Sequence, residues 1–231
     1  MKIRIILIIL ISLCIVISSS YSGDTSSYEL LGFSKDGKYL AFERYGYQDG
    51  SGFPYSEIFF VDVLKNSYMT KQFKTIIEDG DAENAAPARD KNKEKASSKF
   101  STFNIVNGNK GRQVYQKGQQ QPVTQISFDM IGNKYNIILK EFESDKVCDF
   151  GYKAKIFELT LIVNNKIQIL QKDNQPPASR GCPFSYHIDA VFIYDNKIAV
   201  ILDYGTSGFE GPNHRQIIVT GGMRIEIYNK N

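Results

Sequence analysis

The stretch GFSKDGKYLAFERYGYQDGSGFPYSEIFFVDV, Gly32 to Val63, decides the fold. It contains short apolar runs separated by an Asp-Gly turn and by a longer Gly-rich segment. The dipeptide Asp36-Gly37 between apolar runs is a strong hairpin signal, because glycine accepts the positive φ that such turns require. The pattern therefore predicts strands over Tyr39 to Arg44 and over Ile58 to Val63, joined into antiparallel β structure.

Two weaker copies of this pattern follow along the chain. The turn triplets DGK, GNK and DNK fall at matching places, and the three units span about 28–73, 123–171 and 187–229. Each unit is predicted to be a four-stranded antiparallel meander, and Arg224 to Tyr228 is the predicted fourth strand of the third. A repeat of this kind predicts a mainly β protein of three units, propeller-like in arrangement, with a β-sandwich as the alternative.

One segment interrupts the repeat, and it covers residues 74–122. It is rich in Ala, Lys, Glu, Asp and Asn around residues 82–100, where a short helix or a flexible insertion is predicted. Pro87 fits the first turn of such a helix, where its missing N–H costs little. Residues 107–121 are polar and Gly-rich, which predicts a loop. Closed propellers have four to eight blades, so three units leave closure of the ring undecided.

The first residues have the order of a secretory signal peptide. Lys2 and Arg4 precede a thirteen-residue run, Ile5 to Ile17, that is apolar except for one serine. This run is short of the roughly 20 residues that span a bilayer, although an uncleaved anchor remains the alternative. We predict a cleaved signal peptide over residues 1–22 and a single β domain over residues 23–231.

Charge and hydropathy then limit the partners. Loss of the two basic residues of the signal peptide lowers the formal net charge from +3 to +1. No basic stripe and no second apolar run of membrane-spanning length are present. We therefore expect no nucleic-acid partner and no membrane span after cleavage, in a protein that is exported to the periplasm or secreted.

Two cysteines remain after processing, Cys148 and Cys182. In an exported protein an even pair most simply forms one disulfide bond. Chain entropy for a loop of about 35 residues gives roughly 3.5–4 kcal/mol of stabilisation as an upper-end figure. A zinc site is the weaker alternative, because no CxxC pair and no clustered histidine accompany the two cysteines.

The sequence resembles two known groups of proteins. Phe33 to Phe42 (FSKDGKYLAF) and Glu57 to Asp62 (EIFFVD) resemble one repeat of TolB-type β-propellers. More of the chain resembles a bacterial family of predicted secreted proteins of unknown function. That second resemblance implies export and a fold but no reaction. Four blocks carry it: Gly32 to Phe42, Gln48 to Tyr55, Ala178 to Cys182, and Gly208 to Pro212.

The meander plan places three connections at the same end of their sheets. These are predicted to be long loops over Tyr45 to Glu57, Glu143 to Ala154 and Tyr204 to His214, and such loops usually carry binding residues. We expect an exported, non-catalytic envelope protein that binds a protein, peptide or glycan through this face. The candidate binding residues are Asp49, Tyr55, Glu57, Glu210, His214 and Arg215.

A hydrolase is the alternative function. Glu57 and Glu210 could form the carboxyl pair of a glycosidase, and His214 could act as a general base near pH 7. His187 heads a predicted strand and is expected to be structural. Because neither a G-x-S-x-G nor a phosphate-binding G-x-x-x-x-G-K motif is present, the sequence predicts no catalytic residue, no metal site and no cofactor.

Overall fold

The structure is a computed structural model, and it describes residues 23–24, 26–78, 84–118, 122–208 and 211–223. The predicted signal peptide, residues 1–22, lies outside the described residues, and so does the predicted strand Arg224 to Tyr228. Within the described part of the chain, no helix is long and apolar enough to cross a membrane.

Sheet 1 is built from the first repeat unit. Its strands run in the order β1-β2-β3-β4, and β5 also pairs with β3. Gly37 has a φ of 65°, which confirms the predicted turn between the first two strands. The predicted single strand Tyr68 to Phe73 is wrong, because two short strands pair with the same edge of β3, opposite β2, and residues 69–72 join them. The five strands are β1 (Ser27–Phe33), β2 (Tyr39–Tyr47), β3 (Pro54–Asp62), β4 (Ser67–Tyr68) and β5 (Phe73–Ile76).

The predicted insertion contains one helix, α1 (Ala86–Thr102), which has a proline in its first turn. Its small residues Ala88 and Ala96 are fully buried. Asn92 is also buried, and its amide donates to the Ser56 carbonyl of β3 at 3.0 Å and to the Phe73 carbonyl of β5 at 2.9 Å. The helix is therefore fastened to sheet 1 by close packing and by polar contacts.

The predicted loop over residues 107–121 is wrong, because it contains a strand, β6 (Arg112–Gln116). This strand pairs antiparallel with β11 (Pro183–Tyr194) of the third unit. The side chains of Val114 and Tyr115 pack partly against a hydrophobic core, which explains why a mostly polar segment becomes a strand. The insertion thus contributes a strand to the sheet of the third unit.

Sheets 2 and 3 follow from the other two units. Sheet 2 confirms the predicted meander, in the order β10-β9-β8-β7. Sheet 3 has the order β13-β12-β11-β6, so in the described residues its fourth strand comes from the insertion. The remaining strands are β7 (Gln125–Met130), β8 (Asn133–Val147), β9 (Lys153–Val163), β10 (Lys166–Lys172), β12 (Lys197–Ser207) and β13 (Pro212–Gly222).

Sheet 3 lies between the other two sheets. On one of its faces Val191 and Val200 share a core with sheet 2, and on the other Phe192 and Ile201 share a core with sheet 1. Because both faces are covered, Ile198–Leu202 is a continuous buried apolar run without alternation. The three antiparallel sheets confirm the predicted mainly β fold, and in the described chain they do not close into a barrel.

Two long-range links tie the layers together. Cys148 and Cys182 form the predicted disulfide, with a Cα–Cα distance of 5.9 Å, and it joins the β8–β9 turn to the start of β11. At the other end, the Ser26 N–H donates to the His214 carbonyl at 3.0 Å, and the His214 N–H donates to the Asp24 carbonyl at 2.8 Å. The residues before β1 therefore extend sheet 3 along its outer strand β13.

Candidate ligand-binding cleft

A cleft of about 700 Å³ opens between β1, β6 and sheet 3. We call it the polar cleft, because hydrogen-bonding side chains form most of its lining. Its deepest polar groups are His187, Asp203 and Gln216, which are 6%, 7% and 5% exposed. Buried polar side chains of this kind at the bottom of a concave site are typical of ligand-binding sites.

Strand register brings these groups together. Asp203 in β12 is paired with His187 in β11 on one side and with Gln216 in β13 on the other. One oxygen of the Asp203 carboxylate lies 2.9 Å from His214 Nδ1 and 3.5 Å from His187 Nε2. The other oxygen accepts a hydrogen bond from the Gln216 amide at 2.9 Å. Both histidines of the chain therefore contact one buried carboxylate.

The two imidazoles should titrate on opposite sides of the ordinary histidine value of 6.5. The hydrogen bond to Asp203 raises the pKa of His214, whereas burial lowers the pKa of His187. We expect a proton NMR titration of the imidazole Cε1–H signals to give one pKa above 6.5 and one below it. In Asp203→Asn the upper pKa should fall, because the charge-assisted hydrogen bond is lost. Two pKa values on the same side of 6.5 would contradict this arrangement.

Lys117 enters the polar cleft just after β6. Its Nζ lies 2.9 Å from His187 Nε2, and its backbone N–H donates to the Asp189 carbonyl at 2.7 Å. Within the part of the chain that the structure describes, no carboxylate oxygen lies within 4.0 Å of this ammonium group. Lys117 is therefore a positioned cation whose contact in the protein is a ring nitrogen.

A hydrogen-bonded row covers one wall of the cleft. The Tyr28 hydroxyl donates to an Asp189 carboxylate oxygen at 2.5 Å, and the Gln116 amide donates to the same hydroxyl at 3.1 Å. The Gln113 amide in turn donates to the Gln116 side-chain oxygen at 2.6 Å. Burial and the bond to Asp189 raise the pKa of Tyr28, so the phenol stays neutral and keeps its proton.

Helix α1 supports another part of the cleft lining. Glu29 pairs with Arg89 at 2.5 Å and with Lys110 at 2.9 Å. Burial acts to raise the pKa of Glu29, but these two cations outweigh it and lower the pKa. Arg89 also contacts the fully buried Glu43 at 2.8 Å and lies 3.8 Å from the centre of the Tyr45 ring. The helix therefore positions an anionic and an aromatic side chain of the cleft.

Of the predicted binding residues, His214 lines the polar cleft and two others have a different role. Tyr55, which is 1% exposed, donates its hydroxyl to Asp24 at 3.2 Å, and Arg215 forms an ion pair with Asp24. Burial raises the pKa of Asp24, although the Arg215 charge opposes this. Tyr55 of sheet 1 and Arg215 of sheet 3 thus hold Asp24, which precedes β1, between the two sheets.

The remaining predicted residues lie away from the cleft lining. Glu57 is buried in sheet 1 and pairs with Arg44 at 2.5 Å and with Lys74 at 3.2 Å. Burial acts to raise its pKa, but these cations prevail and lower it. Asp49 is half-buried in the β2–β3 loop, and Glu210 lies outside the described residues.

The loops are shorter than the sequence predicted. Strands extend through most of the three expected connections, and only residues 48–53, 148–152 and 208–211 lie between them. The prediction was wrong because polar residues of the expected loops, such as Glu57 and His214, pair with side chains of neighbouring strands and so remain inside the sheets. Sequence reasoning consequently placed the binding face on loops, whereas the polar cleft is lined by strands.

Sequence reasoning also missed most of the polar residues of the cleft, among them Lys117, Asp189 and Asp203. Lys117 was placed in a loop, and Asp189 and Asp203 were treated as parts of ordinary strands. One signal was present in β11, where His187 and Asp189 alternate with the buried Ile188. Polar residues at alternate positions of a strand share one face, and that face must meet solvent or a ligand.

The described residues contain no group of three or more His, Cys, Asp or Glu side chains placed to hold a metal ion.

Comparison with known proteins gives one match. A family model described as "Predicted secreted protein (DUF2259)" matches residues 41–222, which include β6 and all of sheet 3. No curated protein and no solved structure shows a significant match. The resemblance of the first unit to TolB-type repeats stays a prediction.

Proposed function

Because the chain belongs to the predicted secreted protein family DUF2259, we propose that it is an exported, non-catalytic protein that binds a glycan in the polar cleft. Its place of action in this proposal is the periplasm or the medium. The binding surface is now the polar cleft and not the loop-bearing face predicted from the sequence. His214 is a predicted residue of that face and also lines the cleft.

The observation that supports a glycan is the hydrogen-bonded row of Tyr28, Asp189, Gln116 and Gln113. Sugar hydroxyls both donate and accept hydrogen bonds, and amide, carboxylate and phenol groups offer both roles within a small area. The Tyr45 ring, one face of which Arg89 covers, also lines the cleft and adds an aromatic surface. A protein partner would instead favour a broader interface with an apolar centre.

Replacing Gln116 with alanine tests this proposal. We expect a glycan array to reveal ligands for the wild-type protein and calorimetry to show about tenfold weaker binding in Gln116→Ala, because hydrogen bonds are lost. Gln125→Ala is the matched control, since Gln125 is exposed on β7 of sheet 2 and should leave affinity unchanged. Absence of glycan binding, or equal losses in both variants, would refute a glycan site in the polar cleft.

A hydrolase remains the second candidate, and the shared Asp203 carboxylate favours it. A histidine whose pKa is raised beside one whose pKa is lowered offers an acid and a base in the same cleft. The test is prolonged incubation with each glycan that binds, followed by analysis for new reducing ends. Release of product by the wild type and not by His214→Gln would favour the hydrolase, whereas unchanged ligand would favour the binding protein.

A further inference from the structure

We infer that the ligand is an acidic glycan and that Lys117 binds its carboxylate. This inference rests on the proposed function and names the chemical class of the ligand. It depends on the charged side chains around the polar cleft and on which of them form ion pairs within the protein.

The cations near the cleft fall into two groups. Lys110 and Arg89 pair with Glu29, and Arg215 pairs with Asp24. Lys117 differs, because no carboxylate oxygen of the described residues lies within 4.0 Å of its Nζ. An ammonium group has three N–H donors, and the contact with His187 Nε2 at 2.9 Å uses one. Two donors therefore remain for a ligand.

Contacts with β11 and with the cleft floor fix the position of Lys117. Its backbone is held to Asp189 of β11 at 2.7 Å, and its side chain is half-buried against the floor. A cation that is partly removed from water is stabilised by an anion, and a ligand carboxylate would provide one. His214, whose side chain is 35% exposed, lies on the same carboxylate as His187 and provides a second cationic group when protonated.

The acidic groups of the cleft limit the charge of the ligand. Asp189, Asp203 and Glu29 all line it, so a dianionic phosphate would meet three carboxylates. A sugar carboxylate carries one negative charge, which matches the one lysine of the described cleft lining that has no carboxylate partner. Its neighbouring hydroxyls suit the row that includes Tyr28 and Gln116.

Paired oligosaccharides test this inference. The probes are galacturonic acid and glucuronic acid oligomers, each with its carboxyl-reduced counterpart, which keeps the sugars and removes the charge. We expect the wild-type protein to bind at least one acidic oligomer about tenfold more tightly than its reduced form, as for a charge-assisted hydrogen bond. Lys117→Gln should abolish that preference, and Lys117→Arg should retain most of it.

Two controls separate the possible outcomes. Lys91→Gln removes an exposed lysine of α1 and should change neither the affinity for the acidic oligomers nor that for their reduced forms. If neutral glycans bind in a manner that depends on Gln116 but the acidic oligomers bind no better, this inference is wrong and the proposed function stands. If no glycan binds at all, both are wrong. A preference for acidic oligomers that survives in Lys117→Gln would also overturn the role of Lys117.

Discussion

Replacing Phe60 with alanine is expected to lower the free energy of unfolding by about 3–5 kcal/mol. Phe60 is fully buried between sheet 1 and helix α1. Its ring centre lies 5.1 Å from that of Phe100, 5.4 Å from that of Phe103 and 5.9 Å from that of Phe73. Truncation removes all three ring contacts and leaves a cavity that rigid strands cannot fill.

Urea denaturation followed by tyrosine fluorescence measures this effect. Phe142→Ala is the matched control, because Phe142 is 46% exposed in β8 and should cost less than about 1 kcal/mol. The loss in Phe60→Ala should also loosen α1 and with it Arg89, which holds Glu29 and Tyr45 in the cleft. Equal destabilisation by the two substitutions would contradict the described packing of α1 on sheet 1.

Removing the disulfide should have an effect of similar size. In Cys148→Ser/Cys182→Ser we expect the free energy of unfolding to fall by about 3–4 kcal/mol, because the unfolded chain regains the freedom of a loop closed across 34 positions. The bond also joins the β8–β9 turn of sheet 2 to the residue that precedes β11 of sheet 3, so its loss weakens a contact between layers. The measurement is urea denaturation of both proteins under oxidising conditions.

Reductant provides the internal control for this prediction. Dithiothreitol should lower the stability of the wild type to that of the double variant and leave the variant unchanged. If the wild type keeps its full stability after both thiols are shown to be free, the predicted contribution of the disulfide is wrong. If the double variant responds to dithiothreitol, the change does not come from this bond.

Local signals in the sequence predicted most of the strands. Alternating apolar residues and a turn such as Asp36-Gly37 depend on neighbours along the chain, and they were sufficient for sheet 2 and for most of sheet 1. They could not predict β6, because Arg112–Gln116 becomes a strand only by pairing with β11, which lies about 70 residues further on. They also could not show that sheet 3 lies between the others, although the unbroken run Ile198–Leu202 is consistent with two covered faces.

The site was harder to predict than the fold. His214 was identified because histidine is chemically versatile, but its partner Asp203 is distinguished only by strand register. Tyr55 and Arg215 are polar residues near strand ends. Such residues form contacts within the protein as readily as they bind ligands. Whether a charged side chain has an internal partner depends on tertiary contacts, so Lys117 could not be singled out from the sequence.

The attachment of Asp24 and Ser26 to β13 has a consequence for the order of folding. The Ser26 hydroxyl and the Gln216 side chain are 190 positions apart, yet they form a buried hydrogen bond at 2.7 Å. Closing so long a loop is slow, and the bond cannot form before β13 has left the ribosome. We therefore expect Asp24 and Ser26 to stay unpaired until β13 has been made. For an exported protein, this delay favours an unfolded chain during its passage through the membrane.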